Sequence, residues 1–172
     1  MEKRRGQVPG FYVACPQPDQ SGGPELCHQL VNALHLNGQP AWVFDPLAPA
    51  DQVPTYPEVY RRYNVPAARG CDIAPGSTIV LPEIYARCVD HFPNSRVIFW
   101  WMSVDNFMLE ATFRRVSRIV GPDRIVKSWL KKLRGNVDLH LYQSEYARAF
   151  LEASHFGPCL LYTSDAADEE DS

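Results

Sequence analysis

Short apolar runs alternate with helical stripes along this chain, and this alternation limits its possible folds more than any other feature. The run "FYVA" (Phe11–Ala14) leads through a glycine-containing loop into apolar residues at helical spacing over Leu26–Leu34. Asn37-Gly38 then supplies a left-handed helix stop, and the run "AWVF" (Ala41–Phe44) follows. Strand, helix and strand in this order predict a βαβ unit, whose crossover is right-handed in nearly all proteins.

Three further apolar runs extend the pattern. We predict strands over Thr78–Glu83, Arg96–Met102 and Val137–Ser144, and helix-like sequence such as "PDRIVKSWLKKLRG" follows them. Alternating apolar strands and helices predict an α/β fold, in which a parallel sheet is covered by helices on both faces. The proline-rich connection 46–57 suits neither regular element, and loops of this length are often functional or mobile.

Composition narrows the class of protein. The 172 residues fit one domain, 45% of them are hydrophobic, and no apolar run approaches the roughly 18 residues of a membrane span. The basic opening "MEKRR" leads into a strand pattern and not into a signal peptide, so we expect a cytoplasmic protein. The five cysteines contain no C-x-x-C pair and predict reduced, structural thiols; no metal-ligand spacing occurs.

The last fourteen residues differ in character from the rest. The string "CLLYTSDAADE" (159–169) resembles the translation of a common transposase-type sequencing adapter, so we expect the native sequence to end near Pro158 and 159–172 to be a non-native acidic tail. Five of the twenty acidic residues lie there, which leaves 17 basic against 15 acidic residues, a formal charge of +2 instead of −3. A native, solvated acidic C-terminus is the alternative.

Polar residues stand at the carboxyl ends of the predicted strands. In an open parallel sheet, ligands bind outside these ends, near the point where the strand order reverses. The candidate binding residues are therefore Ser21, Gly22, Gly23, Asp45, Glu83, Ser103, Asp105, Asn106, Ser144 and Glu145. Two alternatives are structural: Glu83 as a solvated loop carboxylate, and Ser144 with Glu145 as caps of the last helix.

The adjacent glycines Gly22 and Gly23 are costly in backbone entropy, so we expect a positive φ or a group pressed against the backbone there. Neither the G-x-G-x-x-G fingerprint nor a P-loop is present. An amide-rich turn at a helix N-terminus suits a phosphate or another anion. A plain tight turn is the alternative.

Two stretches resemble a known family. "SGGPELCHQLVNALHLNGQPAWVF" (21–44) is similar to the opening βαβ unit of two-domain glycosyltransferases of the GT-B type, in particular those of family 4, with their Gly-Gly loop and a Glu two residues later. "HLYQSEYARAFL" (140–151) resembles the strand and helix near the end of the first domain of such enzymes, where a serine follows the strand. The resemblance covers most of residues 8 to 158.

The resemblance implies that residues 1–158 are the N-terminal, acceptor-side half of a sugar transferase, a Rossmann-like domain in a GT-B architecture. The donor would be a nucleotide-sugar and the acceptor a saccharide or lipid-linked molecule, with no further cofactor and no metal. The half that grips the donor, including paired glutamates, would lie beyond Pro158, so the chain alone should be inactive. Asp105 would be the catalytic candidate, hydrogen-bonding an acceptor hydroxyl or, in an inverting enzyme, removing its proton; a helix N-cap is its alternative role.

Basic residues are concentrated in 114–134. Eight of the seventeen lie there: Arg114, Arg115, Arg118, Arg124, Lys127, Lys131, Lys132 and Arg134. Beside Trp129 and its leucine neighbours, this charge suits an anionic membrane surface, and so a peripheral location, or a lipid-phosphate-linked acceptor. A solvated helix face is the alternative, and no nucleic-acid-binding module is recognisable.

A second class of function remains open from the residues. The same strand ends could form a self-contained flavodoxin-like or receiver-type binding domain. A receiver domain needs paired acidic residues just after the first strand, and "CPQPDQ" supplies only Asp19.

Overall fold

The protein is described from a computed structural model that covers residues 8–17, 20–112, 122–156 and 159–161. Its core is a six-stranded, all-parallel sheet. The strands are β1 (Phe11–Ala14), β2 (Ala41–Phe44), β3 (Thr78–Pro82), β4 (Arg96–Trp101), β5 (Leu139–Tyr142) and β6 (Cys159–Leu161). They lie in the order β2-β1-β3-β4-β5-β6, so the strand order reverses between β1 and β3.

A single-residue bridge extends the sheet beyond β2. The amide of Val43 donates to the carbonyl of Pro66 at 3.0 Å, and the amide of Ala68 donates to the carbonyl of Val43 at 2.9 Å. With this bridge counted as the third strand, the order becomes 3-2-1-4-5-6-7, whose first six positions are those of the dinucleotide-binding Rossmann sheet. The predicted α/β, Rossmann-like parallel sheet is confirmed.

Four α-helices are described: α1 (Gly22–Leu36), α2 (Val104–Thr112), α3 (Pro122–Asn136) and α4 (Glu145–Ala153). Asn37 ends α1 as predicted, and Gly38 follows at φ +72°, where its lack of a Cβ permits the left-handed turn. Pro46 to Pro57 form no helix or strand. Shorter 3₁₀ segments occupy Glu58–Tyr63, Gly70–Asp72 and Glu83–His91.

Both faces of the sheet are buried because successive side chains of each apolar strand point to opposite sides. On one face, Val13 and Val43 pack with Cys27 and Val31 of α1. On the other face lie the packed side chains of α2, α3, α4 and the segment Glu83–His91. Trp100 and Trp101, neighbours in β4, are both fully buried, one in each core.

The predicted reduced thiols are confirmed among the described residues, where none of the five cysteines belongs to a disulfide. Cys15, Cys27 and Cys88 are buried, but Cys71 is exposed and is no core residue.

The first residues of the segment interpreted as adapter belong to the sheet. Cys159–Leu161 form β6, which pairs in parallel with β5 at His140–Tyr142. Strand pairing needs only backbone hydrogen-bonding groups and an apolar sequence, and a native or a non-native segment can supply both. The assignment of 159–172 to a non-native tail therefore stays a prediction.

The basic cluster is partly engaged within the protein. Arg114, Arg115 and Arg118 lie outside the described residues. On α3, Lys132 forms a 2.7 Å ion pair with Asp90, and Arg134 donates to the carbonyl of Ser154.

Within the described ranges, no helix combines the length and the apolar character that a membrane span requires.

His140 should make stability depend on pH. Burial lowers the pKa of His140 to about 4 from its ordinary 6.5, and its Nδ1 accepts a 3.0 Å hydrogen bond from Nε1 of Trp101. Between these two pH values the unfolded chain binds a proton that the folded chain does not, so this stabilisation is present above pH 6.5 and is lost as the pH falls towards 4. From pH 7 to pH 5 we expect a loss of about 2 kcal/mol of unfolding free energy from this group.

Urea unfolding at the two pH values measures this loss. The variant His140→Gln keeps an acceptor for Trp101 and should show a correspondingly smaller difference. An unchanged difference in the variant would exclude His140 as the source.

Candidate functional site

A cavity of about 320 Å³ opens at the carboxyl ends of β1, β3, β4 and β5, beside the point where the strand order reverses. This is the position at which open α/β sheets bind ligands. Its polar lining comes from four places in the sequence: the start of α1, the residue after β3, the turn from β4 into α2, and the residue after β5. The predicted residues that line the cavity are Ser21, Gly22, Gly23, Glu83, Ser103 and Asn106.

Gly22 and Gly23 form one wall of the cavity, the glycine wall. The expectation of a positive φ or of a group pressed against the backbone at these glycines is wrong. Gly22 and Gly23 begin α1, and neither has a positive φ. A Cβ on Gly22 would meet no described atom within 4 Å, and a Cβ on Gly23 would lie 3.7 Å from Sδ of Met102, an ordinary contact. No neighbour among the described residues requires glycine here. The space that a side chain would fill belongs to the cavity.

Glu83 is a buried carboxylate, and the alternative of a solvated loop residue is wrong. Only 2% of the residue is exposed. Its Oε2 accepts from the amide of Met102 at 3.1 Å, and its Oε1 accepts from Nδ2 of Asn106 at 3.4 Å. Burial raises the pKa of Glu83 above its ordinary value, although these hydrogen bonds oppose the rise.

Ser103 directly precedes α2 and is its N-cap, so the alternative role of Asp105 as N-cap is wrong. The backbone amide of Asn106 donates to Oγ of Ser103 at 3.2 Å, so the serine caps the helix. Asp105 lies two residues further on, is exposed, and accepts a 3.2 Å hydrogen bond from the hydroxyl of Tyr146. It is not among the described residues that line the cavity.

Ser144 and Glu145 have structural roles at the start of α4. The amide of Ala147 donates to Oγ of Ser144 at 3.1 Å, which makes the serine the N-cap of α4. Glu145 is exposed and pairs with Arg148 at 2.7 Å. Instead of these two, Gln143 lines the cavity. Sequence reasoning missed Gln143, although its place directly after β5 was a usable signal.

Asp45, at the end of β2, serves the fold. Its carboxylate accepts from the amide of Leu47 at 2.9 Å, from the hydroxyl of Tyr85 at 3.3 Å and from Nε2 of Gln17 at 3.2 Å. These bonds join β2 to the loop after β1 and to the segment after β3, so Asp45 has a structural role.

The connection that follows β2 holds the loop that leads into the glycine wall. The hydroxyl of Tyr56 donates to the carbonyl of Cys15 at 3.3 Å, and the hydroxyl of Tyr60 donates to the carbonyl of Ser21 at 3.2 Å. The ring of Tyr60 also stacks on His28 of α1, with 4.5 Å between centroids. The connection therefore packs against the site, and its position fixes where α1 begins.

Two buried thiols lie behind the glycine wall. A hydrogen bond with the Cys27 thiol and, to a smaller extent, the nearby His28 ring lower the pKa of the Cys15 thiol to about 7, although burial opposes the shift. Sγ of Cys15 lies 3.9 Å from Nδ1 of His28. Cys27 is among the residues that line the cavity, but neither cysteine has any exposed surface, so the two thiols pack within the wall and do not present a nucleophile.

Comparison with protein-family models, with curated proteins and with solved structures found no match. Across the described part of the chain, no group of three His, Cys, Asp or Glu side chains could hold a metal ion. What the site can do therefore has to be argued from its own geometry. The cavity combines open backbone at a helix N-terminus with a buried carboxylate and four neutral polar side chains, Ser21, Ser103, Asn106 and Gln143.

Proposed function

We propose that the chain is the acceptor-side half of a GT-B type glycosyltransferase similar to family 4. Such an enzyme moves a sugar from a nucleotide-sugar donor to a saccharide or lipid-linked acceptor. One observation carries the proposal: the cavity at the switch point has a wall of two adjacent glycines whose missing side chains no described neighbour explains.

Sugar transfer gives that wall a use. The bond between the sugar and the diphosphate breaks during transfer, and negative charge grows on the departing diphosphate. Backbone amides at the start of α1 are directed along the helix axis and carry partial positive charge. Amides fixed in this way stabilise the growing charge more than the ground state. A side chain at Gly22 or Gly23 would block the approach.

The proposal assigns donor binding to a second domain. The nucleotide-sugar would be gripped by residues encoded beyond Pro158, including the paired glutamates expected from the resemblance. It acts as a substrate, so no separate cofactor enters the proposal. The chain alone should bind part of the reactants and transfer nothing.

The basic face of α3 supports a second contact in the same proposal. Arg124, Lys127 and Lys131 are exposed and recur at i, i+3 and i+7, which places them along one side of the helix. A cationic stripe of this kind attracts anionic lipid headgroups or a lipid-phosphate-linked acceptor. We therefore propose a peripheral position on the cytoplasmic face of a membrane.

The test begins with the reading frame. The source DNA is sequenced across the Pro158 codon by a method without transposase adapters, and the protein encoded by the uninterrupted frame is assayed for transfer from a panel of nucleotide-sugars. We expect a second α/β half with an acidic pair, and transfer activity that the 172-residue chain lacks. A stop codon directly after Ser172 would refute the proposal and favour a self-contained binding domain, whose flavodoxin-like order 2-1-3-4-5 is also that of the named strands β1 to β5.

A further inference from the structure

Glu83 is the carboxylate that the fold brings into the cavity. The other acidic candidates of the site region are used elsewhere: Asp45 joins loops, Asp105 binds Tyr146, and Glu145 pairs with Arg148. Among the described ion pairs, none involves Glu83. A buried charge without a counter-ion is costly unless hydrogen-bond donors compensate for the lost water.

The hydrogen bonds to the two carboxylate oxygens of Glu83 differ in quality, and the backbone amides of Glu83 and Ser103 also act on the carboxylate. Oε2 accepts a well-formed bond from the Met102 amide at 3.1 Å, which fixes the side chain. Oε1 has Nδ2 of Asn106 at 3.4 Å, beyond the usual range for such a bond, and Asn106 is exposed. A donor on a bound molecule could therefore approach Oε1 while the backbone bond keeps the carboxylate in place.

We infer that Glu83 binds hydroxyl groups of a neutral carbohydrate, through Oε1 and with Asn106 beside it. This inference rests on the proposed function and names the chemistry of its acceptor. The carboxylate repels an anion at this end of the cavity, and the positive N-terminal end of α1 disfavours a cation at the other. The remaining polar side chains, Ser21, Ser103, Asn106 and Gln143, are neutral and can exchange hydrogen bonds with hydroxyls.

The inference moves the acceptor contact from Asp105 to Glu83. Asp105 follows the helix cap, and its side chain points to α4, where it meets Tyr146. Glu83 instead directly follows β3, next to the switch point, and its neighbours in the cavity include the glycine wall. A sugar hydroxyl held at Glu83 would lie in the same cavity as the amides proposed to face the diphosphate.

The experiment is an NMR titration of the ¹⁵N-labelled 172-residue chain with neutral methyl glycosides of the common hexoses. Inorganic phosphate and glucosamine serve as the anionic and cationic comparison probes. We expect at least one glycoside to shift the Met102 amide and the Asn106 side-chain amide signals. Glu83→Gln should weaken that binding about tenfold or more, the loss expected for a hydrogen bond to a charged group.

Two further variants make the titration decisive. Glu152→Gln makes the same chemical change on an exposed face of α4 and should leave binding unchanged. Asn106→Ala, at an exposed position, should weaken binding several-fold, and it replaces Glu83→Gln as the test if the latter does not fold. Binding that neither site variant alters, binding of phosphate or glucosamine alone, or no glycoside binding at all would each overturn the inference.

The inference and the proposed function can fail separately. If the longer protein transfers sugar and its Glu83→Gln variant keeps the acceptor KM, the inference is wrong and the function stands. If the chain binds glycosides through Glu83 and the longer protein transfers nothing, the function is wrong and the assignment of Glu83 stands.

Discussion

Replacing Trp101 with alanine is expected to destabilise the fold by about 3 to 5 kcal/mol, a large part of the stability of an ordinary domain. Trp101 has no exposed surface, and its ring packs against Phe99, Phe107 and Phe150 at centroid distances of 4.9, 5.0 and 5.4 Å. The truncation leaves a cavity where β4 meets α2 and α4. It also removes the Nε1 donor of Trp101, so the buried Nδ1 of His140 loses its hydrogen-bond partner.

Urea unfolding at 25 °C and pH 7 measures this effect. Trp42→Ala is the matched control, because Trp42 is half-buried on β2, three strands from β4 in the sheet, and stacks on Tyr12. We expect the control to lose less than half as much stability. Trp101→Phe keeps an aromatic ring, so its loss of stability should lie between those of Trp42→Ala and Trp101→Ala. Equal losses for Trp101→Ala and Trp42→Ala would contradict the place of Trp101 at the centre of the core.

Replacing Gly23 with tryptophan should reduce sugar transfer by the longer protein about a hundredfold or more while leaving the fold intact. A Cβ at Gly23 meets only Sδ of Met102, at 3.7 Å, and Met102 lines the cavity. The indole would therefore extend into the space proposed for the reacting groups. Displacing reactants by about 1 Å is enough to cost a hundredfold in rate.

Steady-state transfer rates and melting temperatures together test this expectation. Gly135→Trp is the matched control: Gly135 also lies in a helix, α3, and its Cβ would meet no described atom within 4 Å. Gly23→Ala should be milder in activity and should stabilise the fold by about 0.4 to 1 kcal/mol, because its φ suits alanine. Full turnover in Gly23→Trp, with the control also active, would remove the role given to the glycine wall.

The residues that line the cavity show how far the sequence could predict the site. Every strand end was expected to contribute, because the carboxyl ends of parallel strands meet at one edge of the sheet. Gly22, Gly23, Glu83, Ser103 and Asn106 do line the cavity. The catalytic role suggested for Asp105 remains a prediction, for a residue that the structure places outside the cavity.

Local geometry explains why Asp105, Ser144 and Glu145 are not among the described residues that line the cavity. Each residue of a helix is rotated by about 100° from the one before, so Asp105 and Asn106 face different neighbours although they are adjacent. A serine at the N-cap turns its hydroxyl back to its own helix, as Ser144 does towards Ala147. The position of a residue directly after a strand does not determine the direction in which its side chain points.

The sequence by itself determined the architecture of this protein. The spacing of apolar residues along each segment decides which segments bury one stripe and which bury both faces, and a parallel sheet between helices is the arrangement that satisfies them together. Only the tertiary structure decided that Glu83 is buried and that the glycines face open space. The reason is physical: burial and empty volume arise from atoms far apart in the chain, here β1, β3 and β4 with the helices after them, and no local pattern records them.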